Sequence, residues 1–89
     1  MDIEKRIDDL TGYYKKIDKS IENYLPKVAE GSDTDHLEDL VILRDTALIL
    51  IGGLVEFKDS DQIPFEIDVN ELSLTVDEFI NTTNTILNL

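Results

Sequence analysis

Residues 35–57 read DHLEDLVILRDTALILIGGLVEF, and the fold turns on this stretch. Two apolar rows run through it. One is Leu40, Leu43, Ala47, Leu50, Leu54 and Phe57; the other is Leu37, Val41, Leu48, Ile51 and Val55, interrupted by Arg44. Steps of three and four residues put each row on one face of an α-helix. A competing reading makes 47–51 and 54–57 two strands joined at Gly52-Gly53, because paired glycines suit a hairpin turn. The helical spacing reaches well upstream of the glycines and decides for a helix. It is expected to start near Asp35, where Asp35 and Glu38 have the spacing of a capping box, and to run to about Phe57. A helix that is apolar nearly all round must be covered nearly all round. It is either the central element of the domain or part of an oligomer interface.

The segments on either side carry one row each. Over residues 2–25, Ile3, Ile7, Leu10, Tyr14, Ile17, Ile21 and Tyr24 follow the steps 4, 3, 4, 3, 4, 3 of an unbroken heptad seam. Asp2 and Glu4 suit the positive end of this helix, and Pro26 is expected to end or kink it. Residues 30–34 form a loop. Residues 58–68 read as a linker, with Pro64 barring a helix interior and Ile63, Phe65 and Ile67 alternating as a short extended piece. A third helix is expected over 69–88 on Val69, Leu72, Val76, Phe79, Thr83 and Ile86, with Thr75 and Glu78 as an alternative later start. The reading is all-α: a small three-helix bundle, a helical hairpin plus a third helix. Surplus apolar surface on the central helix makes a homodimer a natural outlet. Leu43, Leu50, Leu54 and Phe57 are the candidate core or dimer seam.

Length and composition narrow the function. Eighty-nine residues make one domain with a modest core. Twenty acids against eight bases give a net charge of −12. That argues against direct contact with nucleic acid or an anionic membrane, since both need Lys and Arg against phosphate. The chain has no Cys and one His, so thiolate metal sites, disulfides and thiol nucleophiles are excluded. No apolar leader follows Met1, and the longest apolar run, 47–55, is far short of the about 20 residues of a membrane span. A cytoplasmic location is expected.

No constellation of residues points to catalysis. His36 has acids around it in sequence but no nucleophile, and it reads as a solvated side chain near a helix start. Asp59-Ser60-Asp61 opens like a calcium loop. The sixth and twelfth places, where Gly and Glu would be needed, hold Pro64 and Asn70. Neighbouring acids such as Asp8-Asp9 and Asp77-Glu78 do not face each other on a helix. No phosphate loop or serine elbow is present. No enzyme, cofactor or metal site is expected. Arg44 reads as a stem packed in the seam with its head reaching solvent or an acid. Tyr14 belongs to the seam, whereas Tyr13 is expected to be exposed.

The informative feature is where the charge sits. Residues 1–30 hold seven acids and six bases, a net of −1; residues 31–89 hold thirteen acids and two bases, a net of −11. The expectation is a non-enzymatic binding module whose acids dock on a basic, nucleic-acid-binding surface of a partner protein. Small acidic inhibitors of the anti-restriction and anti-CRISPR kind, encoded by phages and mobile elements, share this size and charge. Candidate contacts are Asp59, Asp61, Glu66, Asp68, Glu71, Asp77 and Glu78. The alternatives are a coiled-coil-like dimeric adaptor, and an antitoxin or immunity protein that neutralises a basic toxin.

Overall fold

A computed structural model of the chain describes residues 2–31, 33–59 and 69–88, with side chains described for 2–31, 33–58 and 74–88. Three helices make up the described residues: α1 (Ile3–Ala29), α2 (Asp35–Asp59) and α3 (Val69–Leu87). No strand occurs among them, and Gly52 and Gly53 lie inside α2. The hairpin reading of 47–57 is thus overturned. A two-strand hairpin with no further sheet would leave its backbone edges unpaired, whereas the helix pairs them internally.

Helix ends follow local chemistry. Asp2 caps α1, its Oδ1 accepting from the Lys5 N–H at 3.1 Å. Contrary to the sequence expectation, α1 continues through Pro26 to Ala29. A proline this close to a C-terminus removes one helical hydrogen bond, and its own carbonyl still accepts from the Glu30 N–H at 3.1 Å. The chain then reverses at Gly31, whose φ of +101° is open to glycine and strained for other residues. The cap of α2 lies upstream of the expected Asp35. Asp33 Oδ1 accepts from the Asp35 N–H at 2.9 Å, and the Thr34 carbonyl takes the first helical bond from Glu38 at 2.9 Å. α3 begins at Val69, not at the later start marked by Thr75. It ends on Asn88 at φ 59°, a left-handed stop that asparagine tolerates.

α1 and α2 form an antiparallel hairpin of matched length. Tyr24 meets His36, Asp18 faces Arg44, and Glu4 faces Lys58, so each step up one helix is a step down the other. The turn is tied by the Tyr24 hydroxyl, which donates to the Asp33 carbonyl at 2.7 Å. The core joins Leu10, Ile17 and Ile21 of α1 to Leu40, Leu43, Ala47, Leu50 and Leu54 of α2 and to Val76 and Phe79 of α3. The first row of α2 is therefore occupied within one chain: Leu43, Leu50 and Leu54 are buried and Phe57 is half-buried. Ile3, Ile7, Tyr14 and Tyr24 pack against the same cluster. Tyr13 does too, so it is half-buried and not the exposed ring expected; the Lys16 ammonium lies 5.2 Å from its ring centre.

Thr83 occupies a core position of α3 and is fully buried, yet its Oγ1 has no hydrogen-bond partner among the described residues. Thr11, Thr46 and Thr85 each donate to the carbonyl four residues back, at 2.7, 2.8 and 3.0 Å. An unpaired buried hydroxyl costs on the order of 1–3 kcal/mol. Thr83→Val keeps the shape and removes the orphan group, so it is expected to stabilise the fold by about 1 kcal/mol, read as a higher urea midpoint with unchanged slope. Gly12 lies mid-helix with nothing within 4 Å of where a Cβ would stand. Gly12→Ala is expected to add about 1 kcal/mol in the same assay.

Candidate binding surface

Of the seven acids expected to meet a partner, Asp77 and Glu78 have described side chains. Asp59 lies on α2 and Glu71 on α3 with their side chains outside the described set, and Asp61, Glu66 and Asp68 lie outside the described residues. Asp77 is half-exposed and engaged within the chain: its Oδ1 lies 2.8 Å from Arg6 Nη2. This ion pair ties α3 to α1. Glu78, one residue on, is exposed and makes no ion pair among the described residues.

Glu78 stands at an open cleft of about 310 Å³ between α2 and α3, lined also by Ile42, Leu43, Thr46, Thr75, Phe79 and Thr82. Its surroundings are mainly apolar, and one carboxylate is its only charge. That combination suits a partner's Arg or Lys, whose aliphatic stem covers apolar surface while its head meets the carboxylate. Sequence reasoning placed Glu78 in the acidic set but missed the cleft. The lining draws on two helices whose faces become neighbours only on packing.

The remaining described carboxylates face water. Fifteen acids have described side chains, and all but the half-buried Asp9 are exposed. Four of them (Glu4, Asp18, Asp45 and Asp77) have a cation within ion-pair distance. Two of these contacts, Arg44 with Asp18 and with Asp45, are loose at 3.8 and 3.9 Å. Arg44 is half-buried and its head reaches acids, as the sequence suggested. Six of the eight cations lie on α1, so the acids of α2 have few bases near them.

A second acidic group lies at the tip of the hairpin: Glu30, Asp33, Asp35, Glu38 and Asp39 are all exposed, and none makes an ion pair among the described residues. It was left out of the expected contact set, although the acids flanking His36 in sequence were its signal. His36 itself packs edge-on against Tyr24, with ring centroids 4.8 Å apart. Among the described residues no three metal-ligating side chains cluster, and no described helix is long and apolar enough to cross a membrane.

Asp77→Asn is expected to cost about 0.5 kcal/mol at low ionic strength and less at high salt, because the pair is partly solvated. Chemical denaturation at two salt concentrations measures both.

No protein-family model matches the chain, and neither a curated protein nor a solved structure matches it.

Proposed function

We propose that this chain is a non-enzymatic binding module, an acidic inhibitor that docks on the basic, nucleic-acid-binding surface of a partner protein. The carrying observation is that, among the described residues, eleven of the fifteen acids are left without a cation in ion-pair range, ten of them exposed. Charges neutralised inside the fold would have little left to offer a partner. These acids keep their field, which at physiological salt reaches about 8 Å, enough to draw in a positive groove at close range and speed association.

Shape and charge density set the form of the mimicry. The molecule measures 50 × 21 × 20 Å and carries −12, a net charge about every 4 Å of its length. Duplex DNA carries one about every 1.7 Å. The chain is thus a diluted polyanion, and charge alone gives it less hold than the nucleic acid it would displace. Apolar contacts must supply the difference, and the cleft beside Glu78 offers them. Chemistry of this kind serves a phage or mobile-element protein that disarms a host nuclease, and equally an immunity protein facing a basic toxin. The two differ only in the partner.

The acidic surface is tested by changing the exposed, unpaired Glu30, Glu38, Asp39, Glu56 and Glu78, together with Asp59, Asp61, Glu66, Asp68 and Glu71, to Asn or Gln and repeating capture of a basic nucleic-acid-binding partner at low and high salt. Binding is expected to fall sharply, with a flatter salt dependence. Unchanged binding with helical circular dichroism intact overturns the proposal.

A second reading, a dimeric structural adaptor, is favoured by a different observation. α2 leaves Ile42, Leu48, Ile49 and Val55 exposed, by 61%, 49%, 73% and 39%.

A further inference from the structure

We infer that the cleft between α2 and α3 receives one arginine side chain of a partner protein, from a segment in which apolar residues flank that arginine. The inference deepens the docking reading and rests on it. Glu78 is the only ionisable side chain in the lining. It is exposed, and no cation lies within ion-pair distance of it among the described residues. Six of the eight cations of the chain stand on α1, which contributes nothing to the lining. The positive charge that this carboxylate calls for therefore comes from outside.

The other polar groups narrow the ligand further. The Thr46 hydroxyl already donates to the Ile42 carbonyl at 2.8 Å, so toward an incoming group its oxygen can only accept. The cleft thus offers acceptors from two helices, a charged one on α3 and a neutral one on α2. A guanidinium carries five donors in a planar fork and can serve both at once, whereas an ammonium is a single compact charge that holds its water more firmly. A bare divalent cation would find too few ligands, since no three metal-ligating side chains cluster among the described residues. The apolar part of the lining fits the arginine stem. Leu43 and Phe79 reach the cleft from the core, and an alkyl chain laid over them keeps its charged head at Glu78. Water displaced by that stem no longer screens the ion pair, which strengthens it. Ile42 on one wall is 61% exposed, and Leu74, one turn before Glu78 on α3, is 62% exposed. These two are the contacts for the apolar neighbours of the arginine.

The test is an NMR titration of the full chain with a short peptide carrying one arginine between two leucines. The same peptide with citrulline, which keeps the shape and loses the charge, and with lysine are the comparisons. Millimolar binding is expected, with signals of Ile42, Thr46 and Thr82 shifting together. Glu78→Gln and the citrulline peptide are each expected to weaken it roughly fivefold, the upper range for a partly solvated ion pair. Glu38→Gln, at the exposed hairpin tip, is expected to change nothing. Shifts spread evenly over the exposed acids, or equal binding by wild type and Glu78→Gln, overturn the cleft as the site. Equal binding of the lysine peptide overturns the assignment to arginine. Capture of a basic partner that is lost in the multiple carboxylate variant but untouched by Glu78→Gln overturns this inference and leaves the acidic docking surface standing.

Discussion

The structure depends on the match between two heptad seams. α1 and α2 have nearly the same length, and their apolar rows meet along the whole hairpin. Leu10, Ile17 and Ile21 interlock with Leu40, Ala47 and Leu54, all buried to within a few per cent. Most helical stability in a protein comes from packing an apolar face, so the helical state of each is held by the burial of its row against the other. The turn between them has little freedom. Gly31 supplies the left-handed residue, Asp33 caps α2, and Tyr24 ties its hydroxyl to the turn's backbone. Among the described residues, α3 is laid on this hairpin.

α3 is held more lightly. Its described core contribution is Val76, Phe79 and Thr83, and Thr83 brings an unpaired hydroxyl into the apolar interior. Arg6 with Asp77 supplies a polar tether, of the partly solvated kind that contributes little. The cleft beside Glu78 lies along this less tightly packed junction. Among the described residues, this lightly packed junction and a cleft with a charged rim coincide.

Much of the fold was legible because heptad spacing is a strong local signal. The rows on α1 and the first row of α2 are the residues that the structure buries or half-buries, and the Gly52-Gly53 pair did not break the helix. Misreadings came where a short-range rule met a longer-range context. Pro26 was tolerated because it stands within a turn of the helix end. Asp35 looked like a cap, but Asp33 and Thr34 were better placed. Tyr13 is off the seam by one position, yet its ring folds back onto the core beneath Lys16. The candidate surface was legible only as composition. A count of acids gives the sign of the charge, but it gives neither the pairing of Asp77 with Arg6 nor the apolar lining beside Glu78. Both depend on which helix faces lie side by side.

The uneven placement of cations has a physical consequence for how the molecule moves. Residues Ile3–Ala29 hold five acids and six bases, a net of +1, whereas Asp35–Asp59 hold six acids and two bases, a net of −4. Since the two helices lie side by side, the rod is electrically polarised across its width as well as charged overall. In the field of a positive surface such a body feels a torque before it touches. It rolls its lysine-bearing flank away and arrives with α2 leading, which reduces the rotational search that otherwise slows the meeting of two macromolecules.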